Sequence, residues 1–248
     1  MRTWVLLRGW AREARHWGPF PELLGAAFPD ARIVALDLPG NGRFHGRPSP
    51  CSVAAMAAHS HNALREIGVA PPYSLLGLSL GGMVALEWMA SHPAQIAAGV
   101  LLNTSARPFC SLAARLHPRN YMRLLRLLLE RDAVRREAGI LQLTSAAPGT
   151  HPDLPATWAG YARERPVSRA SVLRQLYAAA TCRAPVRPTV PLFVLASRGD
   201  RLVDCACSLA LARRWNAALA LHPSAGHDLT LDAGEWVASE IAAWIRRT

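Results

Sequence analysis

In Gly77-Leu78-Ser79-Leu80-Gly81-Gly82 a serine stands between glycines, directly after the apolar run Tyr73-Ser74-Leu75-Leu76 and directly before the helix-patterned Met83-Val84-Ala85-Leu86-Glu87-Trp88-Met89. A serine on a sharp turn from strand to helix is presented at the end of the sheet, and the flanking glycines let the turn close. The N-terminus of the following helix favours negative charge developing there. A serine hydroxyl is a weak nucleophile until a base removes its proton, and that base needs a carboxylate to hold its tautomer. The expected chemistry is nucleophilic acyl transfer by a serine, an acid and a histidine.

With this strand-turn-helix motif the partners follow in the order serine, acid, histidine. Of the nine histidines, His227 alone sits in a loop, Ala225-Gly226-His227-Asp228, after a late apolar run and before the last helical pattern. His222 lies within that run and the other seven precede the acid candidates. Asp200 ends Leu192-Phe193-Val194-Leu195-Ala196-Ser197-Arg198-Gly199-Asp200, an apolar strand running into a turn. Catalytic groups of parallel sheets collect at that edge. Asp204 is the rival acid, with an ordinary place at a helix start as its other explanation. The oxyanion needs two backbone donors, expected from Leu80 and from Trp10 in the turn Arg8-Gly9-Trp10. Trp17 reads as a core aromatic. Arg8 either reaches an anionic substrate or braces its loop.

Other motifs carry less. Gly40-Asn41-Gly42-Arg43-Phe44-His45-Gly46 resembles a dinucleotide-binding glycine loop, but Arg47-Pro48-Ser49-Pro50 follows in place of a helix, so no helix N-terminus awaits a pyrophosphate. There is no H-E-x-x-H and no paired C-x-x-C, and Cys205-Ala206-Cys207 is too closely spaced for a metal site. Neither a metal nor another cofactor is expected.

These residues need a sheet to hold them. Uninterrupted apolar runs near 4–7, 33–36, 73–78, 99–103, 192–196 and 218–222 read as strands covered on both faces. They alternate with helical patterns near 19–28, 52–68, 82–92, 205–215 and 234–247, the rhythm of βα units around a mostly parallel sheet. The rhythm breaks between residues 104 and 188, where only helical patterns occur. The organisation expected is a core of residues 1–103 and 189–248 with an inserted helical lid at 104–188. Within the lid, Arg119, Arg123 and Arg126 fall on one face of a helix, and Tyr121, Leu124, Leu125 and Leu128 on the other. That predicts a basic stripe facing outward. Pro148, Pro152 and Pro155 break the segment in two.

The 248 residues carry 28 basic side chains, all arginine, against 17 acidic ones, a formal charge of +11. A basic surplus suggests a nucleic-acid or acidic-protein partner, or only a codon bias towards arginine. Its distribution decides: residues 104–187 hold 14 arginines and 5 acidic residues, whereas the other 164 hold 14 and 12. Bias explains arginine in place of lysine but not this segregation, and no nucleic-acid motif accompanies it. Five cysteines at 51, 110, 182, 205 and 207 form no disulfide framework. Four apolar residues between Arg2-Thr3 and Arg8 are too few for a secretion signal, and no run is long enough to span a membrane. A cytoplasmic protein with no membrane partner is expected.

Leu6-Leu7-Arg8-Gly9-Trp10, Asp37-Leu38-Pro39-Gly40-Asn41-Gly42, Gly77-Leu78-Ser79-Leu80-Gly81-Gly82, the Asp200 turn with Leu202-Val203, and Gly226-His227 together resemble the α/β-hydrolase superfamily over essentially the whole chain. Within it the pattern is most similar to small lidded carboxylesterases of the pimeloyl-acyl-carrier-protein methyl ester esterase type. The resemblance implies Ser79, Asp200 and His227 as triad, with Trp10 and Leu80 as oxyanion and acyl-contact positions. It also implies a lid whose basic residues grip an acidic acyl carrier protein. Arg8 departs from the histidine usual in the family, and the residues that form an extra edge hairpin in most members are not seen before the first strand. The activity expected is serine-dependent hydrolysis of a small carboxylic ester, with an acyl-carrier-linked methyl ester as the narrower form. The alternatives are a thioesterase or carbon–carbon bond hydrolase on the same triad, and a non-catalytic binding protein on the same scaffold.

Overall fold

The strands of the computed structural model, which describes residues 2–248, are β1 (Thr3–Leu7), β2 (Arg32–Leu36), β3 (Tyr73–Leu78), β4 (Ile96–Leu102), β5 (Leu192–Ser197) and β6 (Ala218–His222). They pair side by side in the order β2-β1-β3-β4-β5-β6, and every pairing is parallel. Alternation along each strand divides the core in two. Val5, Leu7, Leu75, Leu101 and Val194 point to one face, and Trp4, Leu6, Leu76, Val100 and Phe193 to the other. β1, β3 and β5 are buried throughout, whereas the edge strands β2 and β6 are half-exposed along much of their length.

Among the described residues ten α-helices join or flank the strands: α1 (Phe20–Ala27), α2 (Val53–Glu66), α3 (Leu80–Ser91), α4 (Leu112–Arg115), α5 (Tyr121–Leu129), α6 (Ala133–Thr144), α7 (Leu154–Glu164), α8 (Arg169–Thr181), α9 (Ala206–Trp215) and α10 (Leu229–Ile245). Met56 and Leu64 of α2, Val84 and Trp88 of α3, and Leu211 and Trp215 of α9 cover one face of the sheet. Phe20 and Leu24 of α1, with Val237, Ile241 and Trp244 of α10, cover the other. Nearly all of α3 is buried, so its apolar residues run all round the helix instead of along one stripe. One strand boundary differs from the sequence reading by more than two residues: β4 starts at Ile96, earlier than the expected 99. The non-helical backbone of Ala233 (φ −148°, ψ 44°) divides α10 into a short piece at 229–232 and the longer helix from 234 that the pattern predicts.

Among the described residues, β4 and β5 are linked without an intervening strand, through α4 to α8. Pro148 opens a single 3₁₀ turn and Pro155 lies in the first turn of α7, so the prolines do divide the segment. The orientation expected for α5 needs correction. Leu124, Leu127 and Leu128 turn inward, but Tyr121 (44% exposed) and Leu125 (46%) face solvent with Met122 and Leu129. Arg123 lies back along α6, donating to Gln142 Oε1 at 2.9 Å. A helix of nine residues packed along one side covers only an i, i+3, i+4 stripe, and that stripe begins at Leu124.

Candidate active site

Ser79 closes β3 and precedes α3 with φ 56° and ψ −116°, a backbone conformation that costs a non-glycine residue of order 1–3 kcal/mol. Its surroundings enforce it. The Ser79 amide donates to Leu102 O (2.9 Å) and its carbonyl accepts from Gly82 and Met83 and from Thr104 Oγ1 (2.7 Å). A Cβ at Gly77 would lie 2.3 Å from Gly81 O, and one at Gly81 would lie 2.0 Å from Leu7 O. These two glycines are required by close backbone approach.

Asp200 and His227 meet at the ends of β5 and β6. His227 Nδ1 lies 2.7 Å from Asp200 Oδ2, and Asp200 Oδ1 accepts from the amides of Leu202 (2.8 Å) and Val203 (3.0 Å). Both side chains are buried, and the fixed carboxylate sets the imidazole with Nδ1 as donor. Asp204 instead accepts from Ala206 N (2.9 Å) at the head of α9, the ordinary role weighed for it from sequence. Asn103, absent from the sequence reading as a site residue, holds the parts together. Its Nδ2 donates to Gly226 O and His227 O, and its Oδ1 accepts from Ser197 N. A single polar residue closing the apolar run of β4 at the carboxyl edge was the available signal.

Ser79, Leu80, His227, Trp10 and Arg8 line one cavity of about 400 Å³. Leu112, Leu116, Leu124, Leu127, Leu128 and Ile140 from the helical segment give it an apolar wall. The turn after β1 is fixed by the opposite wall. Ala11 (φ 54°) donates its amide to Gln175 Oε1 (2.8 Å), Gln175 Nε2 donates to Asn41 Oδ1 (2.8 Å), and Asn41 Nδ2 donates to Arg12 O (2.8 Å). Trp10 Nε1 donates to Val172 O (2.8 Å). The glycine loop at 40–46 thus serves this turn, and the Asp37 carboxylate, accepting from Ala14 N and Arg43 N, fills its centre.

Arg8 is 2% exposed and grips Asp228 through two donors, Nη2–Oδ2 at 2.5 Å and Nη1–Oδ1 at 3.1 Å. Burial pushes the Asp228 carboxyl up, but the Arg8 charge and hydrogen bonds and the Thr230 hydroxyl outweigh it and hold the group below its ordinary value. The guanidinium is committed to the His227 loop, which favours bracing over contact with substrate. Around it runs a seam between core and helical segment. Arg12 pairs with Glu137 at 2.5 Å and stacks over Trp158, and Arg15 reaches Glu164 and lies over Tyr161. His16 sits against Trp158 and Tyr161, held well below its ordinary value by burial and then by the charges of Arg12 and Arg8.

The arrangement places Ser79, and a His227 held by the buried Asp200 carboxylate, on the wall of one largely apolar cavity. Among the described residues no cluster of three or more His, Cys, Asp or Glu could hold a metal, and no helix is long and apolar enough to cross a membrane.

The model of the Alpha/beta hydrolase family matches residues 4–240. The pimeloyl-[acyl-carrier protein] methyl ester esterase of Edwardsiella ictaluri is 36% identical over 105 residues, which is 42% of this chain and 37% of that protein. The chain thus matches little more than a third of that curated relative. Over 100% of this chain and 90% of its own, a thermophilic esterase from Thermogutta terrifontis superposes with a TM-score of 0.77 at 19% identity. The 2-hydroxy-6-oxo-6-phenylhexa-2,4-dienoate hydrolase of Rhodococcus sp. strain RHA1 covers 99% of this chain and 90% of its own, with a TM-score of 0.79 at 19% identity. At such identities these two similarities concern the fold.

Proposed function

The chain belongs to the α/β-hydrolase family, and from that premise we propose that it hydrolyses carboxylic esters through an acyl-enzyme formed on Ser79. His227 takes the Ser79 proton as Oγ attacks the ester carbonyl, and Asp200 holds the imidazole and balances the charge it gains. The amides of Leu80 and Trp10 receive the oxyanion. Collapse of the tetrahedral intermediate expels the alcohol, which leaves with the proton from His227. Water activated by the same histidine then frees the acid. The observation that carries this reading is the 2.7 Å Asp200–His227 pair at the wall of the cavity that Ser79 also lines.

Residues 104–188 act as the lid in this proposal, their leucines supplying the acyl-binding wall. The narrower substrate is a methyl ester whose acyl group is carried by an acidic acyl carrier protein, which the basic lid surface would hold. The partial match to the esterase of Edwardsiella ictaluri supports that choice. Replacing Ser79 by Ala tests the chemistry: hydrolysis of p-nitrophenyl butyrate drops at least about a thousand-fold with the circular dichroism spectrum unchanged. Full activity in that variant removes Ser79 from the mechanism. A substrate panel of free esters, acyl thioesters and ring-cleavage diketones then separates ester hydrolysis from the other reactions a triad can perform.

A further inference from the structure

Two of the five free cysteines face each other across the base of the helical segment. Residues 104–110, leaving the end of β4, run along α9. Ser208 Oγ donates to Thr104 O (3.0 Å), and Phe109 meets Trp215 edge-on with ring centroids 5.4 Å apart. Cys110 packs on the cluster that Cys207 forms with Leu143, Leu202 and Val203, and its Sγ lies 4.0 Å from Ala106 O one turn back in the same segment. Cys207 is fully buried, whereas Cys110 is partly exposed. We infer that Cys110 and Cys207 form a dithiol site that a hydroperoxide closes to a disulfide, bridging the segment before α4 to helix α9.

The two sulfurs have different roles. The neighbouring Cys207 thiol holds the Cys110 thiol below its ordinary value against the opposing effect of burial, and the Arg115 charge adds to it. The same contact, with burial, pushes Cys207 up. Cys110 is the sulfur that meets the peroxide, because it is partly exposed while Cys207 is fully buried, and the Arg115 charge favours its thiolate. Its sulfur attacks one peroxide oxygen, the O–O bond breaks, and the other oxygen leaves as water or an alcohol after gaining a proton. The resulting Cys110 sulfenic acid is attacked by Cys207 sulfur, the S–O bond breaks, and hydroxide departs with the Cys207 proton as a second water. In sum the two thiols lose two protons and two electrons, and the peroxide gains them. Cys182 is excluded as the attacking thiol, since burial pushes it up to about 11, and burial also raises Cys205.

The bridge would tie together two parts of the cavity wall. Leu112, Arg115 and Leu116 follow Cys110 in sequence, Leu202 and Val203 precede Cys207, and all five line the cavity. This inference stands apart from the esterase proposal, because its readout is a covalent bond and not an activity.

The test is peptide mapping of the intact protein after hydrogen peroxide treatment under non-reducing conditions. The expected product is a cross-linked peptide carrying Cys110 and Cys207, two hydrogens lighter than the sum of its parts and lost on adding dithiothreitol. Fragment spectra must separate Cys207 from Cys205, which the same tryptic peptide contains. In Cys207→Ser the bridge is absent and Cys110 is trapped by dimedone as a sulfenic acid. In Cys110→Ser neither product forms. The inference is overturned if wild-type Cys110 stays a free thiol, advances to sulfinic acid without bridging, or pairs with a cysteine other than Cys207.

Discussion

Ser79, Asp200 and His227 come from the ends of three different strands, so each is held by its own local bonds and each can be tested alone. Asp200 spends one carboxylate oxygen on the amides of Leu202 and Val203 and turns the other to His227. Asp200→Asn keeps the shape but offers an amide to Nδ1, favouring the wrong tautomer. We expect kcat to fall on the order of ten-thousand-fold, with Asp204→Asn near wild type, since Asp204 only accepts from Ala206 N. Comparable losses in the two variants would remove the distinction between them. Arg8 calls for a different readout. Arg8→Met leaves Asp228 charged and unpaired in the core, which costs about 3–5 kcal/mol, measured as a lower urea midpoint. Adding Asp228→Asn restores much of that stability if Arg8 braces the loop. A KM increase confined to anionic esters, with stability unchanged, would identify it as a substrate contact.

Between elements, the decisive contact is the seam where the turn after β1 meets α6 and α7. His16 is buried there against Trp158 and Tyr161, flanked by Arg12, Arg8 and Arg15, with Glu13 beside it. Its folded value lies well below the 6.5 of an unfolded histidine, so as pH falls through 6.5 the unfolded chain binds a proton that the folded chain refuses. Stability is then lost on acidification, at up to about 1.4 kcal/mol per pH unit. Urea midpoints at about pH 7.5 and about pH 5.5 should show a smaller fall in His16→Gln than in wild type; equal slopes would assign the pH dependence to other groups. This seam was not legible in the sequence, although the elements on both sides were. Strand and helix positions follow from unbroken apolar runs and from 3.6-residue periodicity, which buried βα units impose strongly. The serine turn and the His227 loop were legible because chain order and glycine spacing constrain them. Asn103, Gln175 and the Arg12–Glu137 pair were not, because each joins residues far apart in the chain and no short spacing encodes such a contact. The face of α5 was misread for a related reason: hydrophobic pattern gives the phase of a helix, but not how much of its apolar side a neighbour covers.

Over the whole molecule the charge is lopsided. Most of the surplus of +11 falls within residues 104–187, where Arg119, Arg126, Arg131, Arg135, Arg163, Arg169 and Arg174 are exposed and Arg115 is buried. Of the five acidic residues there, Glu137 is buried against Arg12 and Glu164 is engaged by Arg15, which leaves Glu130, Asp132 and Asp153 against these seven exposed arginines. Such a surplus attracts an anionic macromolecule over roughly one Debye length, about 8 Å at physiological salt, and the attraction weakens as salt rises. A small neutral ester feels almost none of it. If the carried substrate is right, kcat/KM for a carrier-linked methyl ester should fall severalfold between about 50 mM and about 500 mM salt. The value for p-nitrophenyl butyrate should stay flat over the same range. Reversing Arg119, Arg126 and Arg131 to Glu should cost the carrier-linked ester about tenfold at low salt, chiefly in association, and leave the small ester unchanged, since none of the three lines the cavity. Equal salt responses for the two esters, or no penalty from charge reversal, would reduce the arginines to a solvated face and leave the hydrolase to act on free esters.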